Sequence, residues 1–88
     1  MHEMSLMKGL LVRLERLARE SGARRIVRVR VRLGALSHFS PDHFREHFEI
    51  AARGTPAEGA ALEIETMTDP SDPRAQDVVL ESADVEEP

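Results

Sequence analysis

Between residues 24 and 33 the chain alternates with a period of two. Val27, Val29, Val31 and Leu33 fall in one phase, and Arg28, Arg30 and Arg32 in the other. Side chains of a strand point alternately to opposite faces, so the pattern predicts a strand with one buried side and one wet side. The buried side needs a cover, and the chain has only 88 residues to supply it. A domain of this size buries only about 60% of the surface its unfolded chain exposes, so one modest core is the limit.

The cover is written on either side of the strand. Over residues 4–21, Met7, Leu10, Leu11, Leu14, Leu17 and Ala18 recur at the spacing of one helical stripe, and Gly22 stands where a left-handed cap would end the helix. Gly34 ends the strand and residues 34–39 form a loop. Ser40-Pro41-Asp42 then opens a second helix: a capping hydroxyl, a proline suited to the first helical position, and an acid at the positive end of the dipole. Phe39 and Phe44 occupy the two positions of a hydrophobic staple, and Phe44, Phe48 and Ala51 continue the core stripe to Gly54. Residues 55–59 connect to a second strand, in which Leu62, Ile64 and Thr66 alternate with Glu63 and Glu65. Asp69-Pro70-Ser71-Asp72-Pro73 signals a turn. In the last segment, 77–85, Val78 and Leu80 share one phase and Ala83 and Val85 the other, which predicts a β-bulge near Ser82. The expected fold is therefore α+β (mixed α/β), in the order α-β-α-β-β. Two helices pack on one face of a three-stranded mixed sheet, the first two strands are joined by a crossover, and the last two pair as a hairpin.

Charge is divided unevenly along the chain. Residues 1–54 hold 11 of the 12 basic residues and 6 of the 16 acids, whereas residues 55–88 hold one base and ten acids. Such asymmetry can mark a nucleic-acid arm or an acidic tail. The strand reading gives a plainer cause: Arg28, Arg30 and Arg32 lie among Glu63, Glu65 and Glu81 on the wet face. Trp and Tyr are absent, so a stacking platform for single strands is also disfavoured. No nucleic-acid partner is expected. No apolar run approaches the ~18 residues of a membrane span, and the acidic, His-containing start does not read as a signal peptide. A cytoplasmic protein that does not engage membrane is expected.

Chemistry is limited by what the chain lacks. It contains no Cys, which excludes disulfides, thiolate zinc sites, iron–sulfur clusters and a catalytic thiol. No serine has a nucleophile motif around it and no glycine-rich phosphate loop is present, so no enzymatic activity is expected. Four histidines remain. His43 and His47 are four apart on the second helix, a spacing that can hold a metal, but the HExxH glutamate is missing between them. The plain reading is a helix surface. His38 lies open in a loop. His2 differs in its position: the Met1 α-amine, the His2 amide nitrogen and the His2 imidazole can close fused chelate rings on one ion, with the Glu3 amide or carboxylate as fourth donor. A tetragonal nitrogen/oxygen set suits Ni(II) or Cu(II). Glu3 can equally serve only to favour the dipole of the first helix.

The opening Met1-His2-Glu3-Met4-Ser5-Leu6 closely resembles the start of the HypA/HybF hydrogenase nickel-incorporation proteins. So do Gly34-Ala35-Leu36-Ser37-His38 after an Arg/Val-rich strand, Arg53-Gly54-Thr55, the run from Ala57 to Ile64, and the closing stretch from Asp77 to Glu86. The resemblance implies a nickel metallochaperone that carries Ni(II) as cargo on Met1, His2 and Glu3. It implies work with a HypB-type GTPase to supply the hydrogenase large subunit, and in some members urease maturation. It also implies a zinc ribbon of two CxxC pairs late in the chain. Here that feature departs from the family: with no Cys, no zinc is expected, and residues 69–76 read as a short turn in its place that closes the two strands directly. Residues 1–88 then form a single nickel-binding domain. Its short strands and the surface left by the ribbon could promote a homodimer. The alternative reading is an interaction module that docks maturation partners without carrying nickel.

Overall fold

The computed structural model describes residues 3–86, with side chains from Ser5 onward. Five elements follow in order: α1 (Glu3–Glu20), β1 (Ile26–Leu33), α2 (Pro41–Ala51), β2 (Ala61–Thr66) and β3 (Val78–Val85). β1 is the middle strand. It pairs in parallel with β2 and antiparallel with β3, giving the order β2-β1-β3.

Each helix forms where local chemistry places it. α1 buries Met7, Leu10, Leu14 and Ala18 along one stripe. It ends at Gly22, whose φ is +69°. There the Gly22 N–H donates to the Arg19 carbonyl and the Ala23 N–H reaches back to Ala18 at 2.9 Å. These bonds satisfy carbonyls that the last turn would otherwise leave open. α2 is capped by Ser40, whose hydroxyl accepts from the His43 N–H at 3.2 Å. The staple closes as the sequence implies, with the Phe39 and Phe44 rings edge to face at 5.4 Å. Phe44 and Phe48 are each 1% exposed and meet Ile26, Val29, Val31 and Leu33 of β1 in one core beneath both helices.

Two bulges set the strand phases. Opposite β3, Ile26 faces Val85 and Arg28 faces Asp84, so Val27 is an extra residue on β1. The core face of β1 therefore begins with Ile26, and Val27, expected in the buried phase, is 45% exposed. Further on, Arg30 faces Ser82 and Val31 faces Leu80, which leaves Glu81 as the extra residue on β3. This is the bulge that the phase change near Ser82 implies. It lets Val78 and Leu80 pack on the same core as Ala83 and Val85.

The expected hairpin between the last two strands does not form. β2 and β3 lie on opposite sides of β1, so residues 67–77 cross over the end of the central strand instead of turning directly between neighbours. Three backbone bonds hold this crossing: Met67 N–H to Leu33 O at 2.8 Å, Gly34 N–H to Asp77 O at 2.8 Å, and Leu36 N–H to Ala75 O at 2.7 Å. Within it, Asp69 accepts from the Ser71 amide and hydroxyl, and Asp72 from the Arg74 amide. Those bonds to Ser71, the hydroxyl first, hold the Asp69 carboxyl below its ordinary range. Charge explains the order: a β2–β3 hairpin would set Glu63 and Glu65 beside Glu81 and Asp84, and like charges across strands destabilise a sheet. With β1 in the middle, its arginines separate them.

Gly34 makes the crossing possible. A Cβ there would drive into the carbonyl of Ala75, which is itself 3% exposed. Gly34→Ala should therefore destabilise the fold by about 1–3 kcal/mol, the usual cost of forcing atoms into a packed site. A urea-unfolding midpoint equal to that of the wild type would show that the crossing does not approach β1 this closely.

Candidate metal centre

Of the residues expected to hold nickel, Met1 and His2 lie outside the described residues. Glu3 opens α1, but its side chain also lies outside them. From the first turns of α1, Leu6 borders a depression shared with Leu36, Ser37 and His38 of the loop after β1, and with Gln76 and Asp77 of the 67–77 crossing. The beginning of α1 is thus held beside the carboxyl end of the central strand. In open α/β sheets this is the end where loops carry binding groups.

His38 contributes a further feature to this rim. It is exposed, and its φ of +66° places a non-glycine residue in the left-handed region. The turn it makes sends Phe39 into the core and leads to Ser40, the cap of α2. His43 and His47 of α2 come together: their Nε2 atoms are 2.8 Å apart and their ring centroids 4.4 Å. The i,i+4 spacing was legible in the sequence, but their convergence depends on side-chain rotamers that no sequence pattern encodes. Among the described residues, no group of three or more His, Asp or Glu side chains is placed to hold a metal.

The opposite face of the sheet is a ladder of ion pairs. Glu63 takes Arg28 at 3.2 Å and Arg30 at 3.2 Å, Asp84 takes Arg30 at 3.3 Å, and Arg32 lies between Glu65 and Glu81. Arg30 also donates to the Ser82 hydroxyl at 3.0 Å. Its pKa is raised, chiefly by the hydrogen bond to Asp84. Asp84 was not singled out from the sequence; it faces Arg28 in the stretch of pairing between the bulges at Glu81 and Val27. A nucleic-acid surface needs guanidinium groups free to meet phosphates. These arginines are already engaged by acids.

The Ser40 cap fixes the backbone at His43 and so anchors the start of α2 against this rim. Ser40→Ala should cost about 1 kcal/mol, the usual value for a lost N-cap, read as a lower urea midpoint with the same slope. No change in midpoint would mean that the cap does not hold α2.

Comparison with known proteins fits this geometry. Residues 1–70 match the family model described as "HypA: Hydrogenase/urease nickel incorporation, metallochaperone, hypA". A hydrogenase maturation factor HypA of Acidithiobacillus ferrooxidans is 43% identical over 67 residues, covering 76% of this chain and 59% of that protein. A HypA of Methanopyrus kandleri is 42% identical over 65 residues, covering 74% of this chain and 46% of that protein. The aligned stretch thus spans about half the length of these relatives. In three dimensions, the solution structure of the Ni metallochaperone HypA from Helicobacter pylori matches with a TM-score of 0.80 over 97% of each chain, at 20% identity. That likeness confirms the α+β fold of two helices on a three-stranded mixed sheet. No described helix is long and apolar enough to cross a membrane. With the family model matched from Met1 through β2, the chain belongs to the HypA family of hydrogenase/urease nickel-incorporation metallochaperones.

Proposed function

We propose that this chain is a HypA-type carrier that holds Ni(II) at its own amino terminus and gives it up to a nickel enzyme under assembly. The observation that carries the reading is the family match over residues 1–70, which includes Met1-His2-Glu3. The chemistry of that tripeptide agrees with it. The Met1 amine, the deprotonated His2 amide and the His2 imidazole offer three nitrogen donors in fused chelate rings, and Glu3 supplies the fourth donor. Such a set favours Ni(II) or Cu(II) over ions that prefer oxygen or tetrahedral surroundings. Binding releases protons, so affinity rises with pH. Delivery needs only stepwise ligand exchange, so this role requires no catalytic group.

The recipient that fits best is the [NiFe]-hydrogenase large subunit, with a HypB-type GTPase as the partner in transfer and urease maturation as a related route. The name of the matched family supports the hydrogenase and urease setting. Residues 69–76 stand in place of the family's zinc ribbon, and residues 1–88 act as one nickel-binding domain. The sequence has no cysteine with which to build a ribbon. A cytoplasmic setting, where these maturation partners work, follows from the same reading. Self-association through the edges of β2 and β3 is the route to a homodimer.

Untagged protein titrated with Ni(II) should show a tight first equivalent with a square-planar absorption spectrum. A short N-terminal extension or His2→Ala should abolish it, with the helical circular dichroism unchanged. The double change His43→Ala/His47→Ala should leave this tight equivalent in place. If the native and extended chains lack it alike, the interaction-module reading takes over. A chelator should leave the melting temperature where it was, and a drop would reveal a structural metal.

A further inference from the structure

α2 carries two imidazole donors that lie outside the Met1-His2-Glu3 tripeptide. His43 and His47 stand one helical turn apart, so both imidazoles rise from the same side of the helix. Their Nε2 atoms lie 2.8 Å from each other, with the ring planes inclined by 58°. Two imidazole nitrogens each about 2.0–2.1 Å from one ion are separated by about 2.8–3.0 Å at a right angle, and by about 3.3–3.4 Å at a tetrahedral angle. The spacing found here is the cis edge of a square-planar, tetragonal or octahedral ion.

The pair is held in place by its surroundings. The Ser40 cap fixes the His43 backbone, and the Phe39 ring meets the His43 imidazole edge-on at 6.3 Å. His47 is half-buried beside the Phe44 and Phe48 stripe, which limits its rotamers. These contacts reduce the side-chain freedom that is lost when an ion binds. Charge favours a cation too: α2 carries Asp42, Glu46 and Glu49 against the single base Arg45.

We propose that His43 and His47 form a second metal site, a two-imidazole clamp on α2 that takes Ni(II), or Cu(II) by the same chemistry, in cis positions with water completing the coordination sphere. Without metal, the 2.8 Å contact is a hydrogen bond in which one ring's Nε2–H donates to the other ring's Nε2. When the ion binds, that N–H proton moves to Nδ1 of the same ring by exchange with water, so both Nε2 atoms face the metal and the neutral pair releases no net proton. With two protein donors rather than four, this site binds more weakly than the terminal one and exchanges its ion readily. It stands independently of the terminal reading.

The test separates the two sites. The full chain with a short N-terminal extension, titrated calorimetrically with Ni(II), should still bind one equivalent, at least tenfold more weakly than the first equivalent of the native chain. The extended chain carrying His43→Ala/His47→Ala should bind none, while its circular dichroism remains that of the folded protein. His43→Gln, at an exposed position, should give the same loss with less risk to the fold. If native and extended chains both bind a single equivalent that the double change removes, the clamp stands and the terminal site fails. The clamp is overturned if the extended chain binds no Ni(II), or if its binding survives the double change.

Discussion

The structure depends on the two faces of β1. One face, Ile26, Val29, Val31 and Leu33, is closed off beneath the helices, and the other presents three guanidinium groups to acids on both flanking strands. The core face supplies the stability: burying a large apolar side chain is worth about 1.5–3 kcal/mol, whereas an exposed ion pair contributes about 0–1 kcal/mol. The charged face decides something else, the order of the strands. A carboxylate-rich β2 and a carboxylate-rich β3 can share a sheet at low cost only with the arginine strand between them. The opposite charges of the two halves of the chain are therefore the two sides of one sheet, and the imbalance that resembles a nucleic-acid arm is consumed internally.

Most of the local structure was legible because its causes are local. The Ser40 cap, the Phe39–Phe44 staple, the left-handed Gly22 and the bulge on β3 each depend on residues a few positions apart. What escaped depends on partners far along the chain. Ile26 replaces Val27 on the buried side only because β3 pairs with β1 through a bulge, and a strand's own alternation cannot reveal where its neighbour slips. Gly34 reads as the end of a strand, yet its greater role is to let Ala75 pass. The path of residues 67–77 was missed for the same reason: a turn signal tells that the chain bends, not which strand edge it reaches afterward.

The candidate metal site divides along the same line. The value of Met1-His2-Glu3 lies in bond connectivity, since chelate rings through an amine, an amide and an imidazole are properties of the covalent chain, so the sequence alone suffices to suggest them. The clamp on α2 is the converse. Its spacing is visible in the sequence, but the approach of the two rings depends on side-chain rotamers, beside Phe39 for His43 and against a half-buried surface for His47. Near the carboxyl end of β1, Leu6 of α1 and Leu36 and His38 of the loop before α2 border one depression.

The 67–77 segment is also pinned so that its middle can change without disturbing the sheet. Its ends are pinned independently of its middle: Met67 bonds to Leu33 at one side of the crossing, and Ala75 and Asp77 bond to Leu36 and Gly34 at the other. Between these anchors, residues 69–74 are exposed except for the half-buried Asp72 and make turns on their own Asp69 and Asp72 side chains. Lengthening a loop whose ends are fixed costs little, about 0.6 kcal/mol for each doubling. A longer or shorter middle segment need not change the register of β3 against β1. The sheet, and with it the position of α1 above the core, therefore stays the same whatever the crossing carries.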